Sequence, residues 1–366
     1  MKSGCNQSNP YRSLATACIL LLLSGCSMVG PSSIRSGRLA YNEAIHETDN
    51  QQMLLFVIQN RYEERGSLLA VASITANVRI TSKAGIQAGF GDAENYAGHL
   101  VPFSAGVIYE ENPTISYRPV TGAKYARQLF SPIPISVLAQ MAGTLTDPAS
   151  VYNTLVSSVN GIRNPDFQFS PNGSDPRFSR FVTIMTMLTE AHCLHWIENP
   201  QQSGSSSIVI DHYAPAYTTE VGELLTLSRL PAPTTDSAGQ VILPVFLALD
   251  GRKSESLGIT TRSVADLMNI LSAAIDVPEE ELHNGVAAIY PEPGQAGRSL
   301  RIHRSTTRPE HATVAVQYRD GWFYIDETDQ ATKRFFRLMS ALWSVTIAES
   351  APKGSAAPVL TVPVSR

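Results

Sequence analysis

The chain has 366 residues, of which 43% are hydrophobic, 16% charged and 8% aromatic. This composition suits a folded chain with a sizeable core and excludes a disordered, collagen-like or coiled-coil protein. The formal charge of -4 at pH 7 argues against general nucleic-acid binding, which favours a basic surface. No uncharged apolar run reaches the ~18 residues of a membrane-spanning helix, which argues against a polytopic membrane protein.

The first 25 residues have the pattern of a secretory signal. Lys2 and Arg12 precede an apolar run over 14–23, which is too short to span a bilayer but suits the core of a signal peptide. The run ends in Leu23-Ser24-Gly25-Cys26, which resembles the lipobox of bacterial lipoprotein precursors. The resemblance implies cleavage before Cys26 and lipidation of its thiol and of the new amino terminus. An ordinary signal peptide followed by an unmodified cysteine is the alternative.

Lipidation predicts a chain that is anchored to a membrane without spanning it. Two or three acyl chains hold a protein more firmly than one, since each buried CH2 contributes ~0.8 kcal/mol. Ser27, not aspartate, follows the cysteine, and by resemblance to enterobacterial sorting this favours the outer membrane, facing the periplasm. The inner membrane and surface display stay open. Cleavage would leave a charge of -6 and Cys193 as the one unmodified cysteine, so we expect no disulfide within the chain.

Composition divides the chain into five parts. Residues 1–25 are the signal peptide, and 26–40 are the lipidated cysteine with a small, polar tether. Residues 41–202 and 203–349 are expected to be N-terminal and C-terminal α+β parts, separated at the serine-rich run that begins at 203. Residues 350–366 are rich in Ala, Pro, Ser and Val and predict an extended tail.

The first of the α+β parts mixes helices and strands. Apolar spacing predicts helices over 49–64, 121–130, 134–142, 148–159 and 175–198. Alternating apolar and polar residues predict a strand over 72–81, a turn at 83–85 and a hairpin of 107–109 with 114–117.

The second α+β part continues this mixture. Strands are predicted at 208–210, 241–249 and 300–304, and a helix at 263–275. Residues 312–325 predict a hairpin around Asp320-Gly321, followed by a closing helix capped by Asp326 or Thr328. The mixed blocks favour an α+β fold of antiparallel strands with packed helices, as one large unit or two interleaved subdomains.

Three groups of residues carry a second resemblance. They are Tyr41-Asn42 with Gln59-Asn60-Arg61-Tyr62, then Pro113–Pro119 and Trp322–Asp326. Together they are similar to uncharacterised proteobacterial lipoproteins over most of 40–348. That resemblance implies a class of protein and no particular activity.

The most metal-like group surrounds Cys193. On a helix, His192 and His195 would share one face, with Glu190 close by. Zinc enzymes of this kind more often space two histidines four residues apart, and no third ligand is identifiable. The alternative is a packed helix end, which the adjacent Trp196 favours. We therefore assign no metal or cofactor and keep His192 and His195 as the weak metal candidates.

No catalytic residue can be assigned from the remaining motifs. Cys193 is more typical of a buried small hydrophobic residue than of a catalytic thiol. Glu279, Glu280 and Glu281 could form a paired-carboxylate site, but acids after Pro278 are more simply the first turn of a helix. The glycines lack the spacing of a phosphate-binding loop.

Two features are candidate interface elements. A local basic stretch contains Arg301 and Arg304, which either contact anionic lipid or glycan or protect an exposed edge strand. In the predicted hairpin, Trp322 and Tyr324 lie on one face, and Phe323 and the following isoleucine on the other. We expect both faces to pack beneath helices, with a partner on the Trp322 face as the alternative.

These observations favour a non-enzymatic interaction or assembly module of the envelope. It would be held at the membrane by lipid on Cys26, with an envelope protein as partner and no nucleic acid. The alternative is a hydrolase that acts on an envelope polymer. It would use the region of His192 and His195, with or without a metal ion. A small-ligand carrier is a third, less favoured class.

Overall fold

The computed structural model has mixed helices and sheets with mostly antiparallel strands, which confirms the predicted α+β class. The chain contains two compact units, residues 1–52 and 53–366. The residues that the structure describes are 29–66, 68–75, 78–86, 103–111, 114–144, 147–164, 175–198, 206–230, 240–248, 256–291, 297–350 and 360–363. The predicted signal peptide, residues 1–25, and Cys26 lie outside these residues.

The first described element is helix α1, Val29–Arg61. It begins twenty residues before the predicted start at 49, so the segment from Val29 to residue 40 is helical and not the irregular tether expected from its composition. Pro31 lies in the first turn of α1, where its missing N–H breaks no internal hydrogen bond. The helix ends close to the predicted position.

The main structural element of the second unit is a six-stranded sheet. Its strands are β5 (Val156–Val159), β6 (Ile162–Arg163), β7 (Leu194–Glu198), β8 (Ser206–Ile210), β9 (Val241–Leu247) and β10 (Leu257–Thr261). Their order in the sheet is β6-β5-β10-β9-β8-β7, and neighbouring strands are antiparallel except for β9 and β10. The predicted strands at 208–210 and 241–249 are therefore confirmed. The two α+β parts predicted on either side of residue 203 contribute strands to one sheet.

Helices pack against this sheet and on one another. Helix α2 (Ala123–Phe130) contacts the later helices Val264–Ala273 and Gln330–Ser350. Helix α3 (Ile135–Thr144) contacts β7, β8 and β9, α4 (Pro148–Leu155) contacts β5, and α5 (Pro176–Glu190) contacts β6 and β7. Helix α6 (Thr218–Leu227) packs on α5, so that α3 to α6 form successive contacts. The predicted start signals of α4 and α5 are confirmed, since Asp147 and Asp175 each accept a backbone N–H of the first turn. A short 3-10 turn over Pro215–Tyr217 precedes α6.

Two predicted helices are too long. The helix predicted over 148–159 ends at Leu155, and Val156–Val159 forms β5, because its valines suit the buried, pleated surface of a sheet. The helix predicted over 175–198 ends at Glu190, and Leu194–Glu198 forms β7. His192 adopts a left-handed conformation with φ 57°, which turns the chain between these two elements.

Two smaller sheets differ from their predicted pairing. Strands β1 (Leu69–Thr75), β4 (Thr114–Pro119) and β14 (Leu360–Pro363) form one sheet, and β2 (Val78–Ile86) pairs with β3 (Phe103–Glu111). The predicted hairpin of 107–109 with 114–117 is wrong because β3 and β4 belong to different sheets. The predicted turn at 83–85 is also wrong, since β2 continues to Ile86 in a ladder that satisfies many more backbone groups than the short hairpin could.

The C-terminal elements follow the predictions closely. Helix α7, Val264–Ala273, begins with a capping box between Ser263 and Asp266, and α8 spans Glu279–His283. Strands β11 (His303–Ser305), β13 (Gly321–Asp326) and β12 (Ala312–Tyr318) form a three-stranded sheet that contains the predicted hairpin.

The closing helix is α9, Gln330–Ser350. The predicted caps Asp326 and Thr328 are wrong, since Asp329 accepts the backbone N–H groups of Ala331 and Thr332. Asp326 accepts instead from Thr328.

Candidate interaction site

The face of the six-stranded sheet away from α3 is partly exposed, and several of its exposed side chains on β7 and β9 are apolar. On β9, Val241, Leu243 and Val245 are buried, whereas Ile242 and Pro244 between them are exposed. Strand residues alternate between the two faces, so the exposed side chains point away from the helices. Ile242 is 53% exposed and Ile197 of β7 is 49% exposed.

Strand register brings these side chains together. Ile242 lies opposite Val209, and Pro244 lies opposite Ser207, which in turn faces Ile197. Phe246 follows on β9 and packs over Gly258, where an added Cβ would lie 3.0 Å from its ring. We call this surface the open face, made of Ile197, Ile242, Pro244 and Phe246. Val209, opposite Ile242, is itself buried. Adjacent apolar side chains on a surface mark interaction sites.

A polar cluster borders the open face. His212 Nδ1 lies 3.2 Å and His195 Nε2 lies 3.6 Å from Asp211 Oδ1, and the amide of Gln240 donates to Asp211 Oδ2 at 3.2 Å. The hydrogen bond from His212, with that from Gln240 and the two nearby imidazoles, lowers the pKa of Asp211 below its ordinary value. The carboxylate therefore stays charged at neutral pH.

The two candidate metal ligands do not share a helical face. His192 lies in the left-handed turn before β7, and His195 is on β7 itself. Both line a cleft of about 400 Å³ between α3 and β7, together with Glu198. Among the described residues, no three His, Cys, Asp or Glu side chains are grouped so that they could hold a metal ion.

The residues next to these histidines have structural contacts. Cys193 is buried, as predicted, and its thiol lies 3.4 Å from the carbonyl oxygen of Ala191. Trp196 is on β7 rather than at a helix end, and its indole N–H donates to the hydroxyl of Tyr152 at 3.1 Å. Burial raises the pKa of Tyr152 to about 12.

The basic stretch forms ion pairs with carboxylates of the same chain. Arg301 Nε lies 3.0 Å from Asp276 Oδ1. Arg304 Nη2 lies 2.6 Å from Asp320 Oδ1 and 3.2 Å from Glu281 Oε1. Arg304 therefore connects β11, the turn of the hairpin and α8.

The acidic run begins α8, which confirms its prediction as the first turn of a helix. Glu281 has a further role that the sequence did not indicate. It accepts a hydrogen bond of 2.5 Å from the hydroxyl of Tyr62, in addition to its ion pair with Arg304. That hydrogen bond and burial raise the pKa of Tyr62, with burial the larger cause.

The predicted alternation of the aromatic hairpin is confirmed. Phe323 is buried, whereas Trp322 and Tyr324 are partly exposed on the other face. The expectation that both faces pack beneath helices is wrong for this outward face. His303 stacks on Tyr324 with ring centroids 5.3 Å apart, and Arg308 lies over Trp322 at 5.6 Å.

The sequence did not single out the open face. Strand β9 reads VILPVFL and is apolar at every position, which is typical of a strand that is buried on both faces. The unusual signal was Pro244, because proline is uncommon within a central strand of a sheet. Only the packing of α3 to α6 on one side shows which residues are exposed.

Comparison of the chain with protein-family models, with curated proteins and with solved structures finds no match. Within the described part of the chain, no helix is both long and apolar enough to cross a membrane.

Proposed function

We propose that the chain is a non-enzymatic interaction module of the bacterial envelope, held at the outer membrane by lipid on Cys26 and facing the periplasm. The observation that carries this proposal is the open face, on which Ile197, Ile242, Pro244 and Phe246 are accessible to solvent. Burying an aliphatic or aromatic side chain fully contributes ~1.5–3 kcal/mol. Covering several half-exposed side chains therefore supplies a few kcal/mol toward association.

The border of the open face favours a protein partner. Asp211 is partly accessible, and its lowered pKa keeps it negative. A carboxylate beside the apolar centre opposes anionic lipid headgroups but complements a Lys or Arg of a protein surface. An apolar centre with a polar rim is the usual arrangement of a protein–protein interface. The partner we propose has an apolar patch with a basic residue at its edge.

The sequence features near the amino terminus support the cellular setting. The lipobox-like residues Leu23–Cys26 and the following Ser27 favour an anchor in the outer membrane. An anchor confines the chain to the membrane surface, where even a modest interface is populated because the effective concentration of an envelope partner is high.

Substitution on the open face tests this proposal. The full chain with Ile242→Glu is compared with Tyr324→Glu, which places the same charge on the outward face of the three-stranded sheet. After crosslinking in intact cells, we expect Ile242→Glu to reduce the crosslinked complex at least tenfold and Tyr324→Glu to leave it unchanged. Both variants must retain cooperative unfolding. A crosslinked complex that persists with Ile242→Glu contradicts the proposal. A chain that binds lipid vesicles and crosslinks to no protein contradicts it as well.

A hydrolase of an envelope polymer is the second candidate function. The cleft between α3 and β7 favours it, because Ser136, His192, His195 and Glu198 line the same space and His195 contacts Asp211. A His–carboxylate pair is a common arrangement for a general base. Digestion of purified cell-wall sacculi by the wild type but not by His195→Ala, with His311→Ala as control, would favour this candidate.

A further inference from the structure

The two outer strands of the six-stranded sheet differ in their protection. Strand β6 has only two residues, and one is the exposed Arg163. Strand β7 has five residues, LHWIE, without Lys or Pro, and its ladder with β8 has no bulge. Folded proteins normally protect exposed edges with short strands, charged residues (Lys above all), Pro or bulges. Of these features, β7 has only the charge of its last residue, Glu198.

The backbone of β7 offers hydrogen bonds on its outer side. Asp211 donates its N–H to the carbonyl of Cys193 at 3.0 Å, in the register of the β7–β8 ladder. Alternate residues of an antiparallel strand bond to the same neighbour, so the backbone N–H and C=O groups of His195 and Ile197 point toward β8, as the carbonyl of Cys193 does. Leu194, Trp196 and Glu198 therefore direct their N–H and C=O groups away from it. Within the described chain, β7 is the last strand on this side.

The outer side of β7 is complementary to itself. In an antiparallel pair centred on Trp196, that residue faces its own copy, and Leu194 faces Glu198 of the partner subunit. Each such pair can exchange both backbone hydrogen bonds. His195 then faces Ile197 of the partner subunit, which would cover an isoleucine that is 49% exposed in one chain.

The charges agree with the same register. Glu198 and His192 both line the cleft beside β7. Leu194 lines that cleft too, so Glu198 of the partner subunit, which would face Leu194, would lie on the side of β7 that carries His192. Symmetry creates this contact twice.

We propose that two copies of this chain pair antiparallel through β7, centred on Trp196, and join their six-stranded sheets into one continuous sheet. The two open faces would lie on the same side of it. The pairing does not depend on the proposed function, because it is made by the backbone edge of β7 and covers Ile197 alone of the open face, leaving Ile242, Pro244 and Phe246 accessible.

Cysteine pairs test this register in cells. In the proposed pair, positions 195 and 197 of the two copies face each other with Cα atoms ~4.5 Å apart, which suits a disulfide. Equal positions are diagonal neighbours at ~7–8 Å, which does not. Full chains with His195→Cys and Ile197→Cys, each with a different tag, are therefore co-expressed and oxidised. We expect a disulfide-linked dimer of the two tags, and at least fivefold less product from either variant alone.

Two controls make the result specific. Ile289→Cys, on a residue 78% exposed, measures random collision, and the unaltered chain measures background from its native cysteines. Glu198→Lys should reduce the linked dimer several-fold, and His192→Glu in the same chain should restore it. Linkage no greater than with Ile289→Cys, equal linkage in the single variants, or a linked species with the mass of a different protein overturns the proposal. Ile242→Glu should not change the linkage, which separates this test from that of the proposed function.

Discussion

The six-stranded sheet and the three-stranded sheet of β11, β13 and β12 differ in how far their outward side chains are covered. On the larger sheet, Ile242 and Ile197 are about half exposed. On the smaller sheet, His303 and Arg308 lie against the outward Tyr324 and Trp322. The apolar surface of the larger sheet is thus available to a partner, while that of the smaller sheet is partly covered by its own chain.

The difference shows that the residues that stand out in the sequence are not the ones most accessible to a partner. Arginines and aromatic side chains stand out in a sequence, but Arg301 and Arg304 pair with carboxylates of the same chain. Aliphatic residues such as Ile242 look like core residues and are exposed. Availability depends on what packs nearby, which a single sequence does not state.

The largest expected effect is on stability, and it tests the contrast between the buried and the exposed face of the larger sheet. Ile208 is fully buried on the helix side and Ile242 is exposed on the other. Ile208→Ala should destabilise the chain by about 2–5 kcal/mol, because it leaves a cavity. Ile242→Ala should change the stability by no more than about 0.5 kcal/mol. Urea unfolding of both variants measures this, and equal losses would show that the open face is covered within the chain.

Alkaline pH tests the covered side of the same sheet. Burial raises the pKa of Tyr152 to about 12 from an ordinary value of 10.0. Tyr152 contributes fully to the free energy of unfolding below pH 10. This contribution is lost as the pH rises from 10 to about 12, because the tyrosine hydroxyl ionises at a lower pH in the unfolded chain than in the folded one. The loss is on the order of 2–3 kcal/mol.

The matched variant for this test is Tyr152→Phe. It should be less stable at pH 7 by about 1 kcal/mol, through loss of the hydrogen bond with Trp196, and should lose less stability above pH 10 than the wild type. Parallel stability curves for the two chains from pH 8 to 12 would contradict the assignment to Tyr152.

The smaller sheet should be more sensitive to Arg304 than to Arg301. Arg304 is largely buried and contacts Glu281 and Asp320, whereas the side chain of Arg301 is 63% exposed. Arg304→Ala should cost about 1–2 kcal/mol, since it leaves Glu281 without its cation. Arg301→Ala should cost at most about 1 kcal/mol. Thermal unfolding compares them, and neither change should weaken partner binding if that uses the open face.

The smallest expected effect concerns Asp211 at the border of the open face. Its pKa is lowered, so its contribution to stability is present above its ordinary value of 3.8 and is lost as the pH falls below it. Because the pair with His212 is exposed, the contribution is under ~1 kcal/mol. Asp211→Asn should therefore flatten the acid side of the stability curve slightly while weakening partner binding more clearly. Unchanged binding would remove Asp211 from the interface.

Local sequence signals predicted the fold well where the signal is compatible with only one local structure. Alternation and Asp320-Gly321 predicted the hairpin, and Ser263 predicted the start of α7. They did not separate α5 from β7, because Leu194–Glu198 suits either a helix or a strand and the deciding turn is the left-handed His192. The candidate site depended on tertiary packing in the same way. Strand β9 is apolar at every position, so its open side could not be distinguished from its buried side.

Photo-crosslinking in intact cells tests the central claim most directly. A photoreactive phenylalanine analogue is placed at position 242 or 244 of the open face, and at position 322 or 324 of the three-stranded sheet. We expect positions 242 and 244 to yield the same envelope protein in near-stoichiometric amount, and positions 322 and 324 to yield none. The same protein from 322 or 324 alone, or no protein from 242 and 244, would contradict the assignment of the open face as the binding surface.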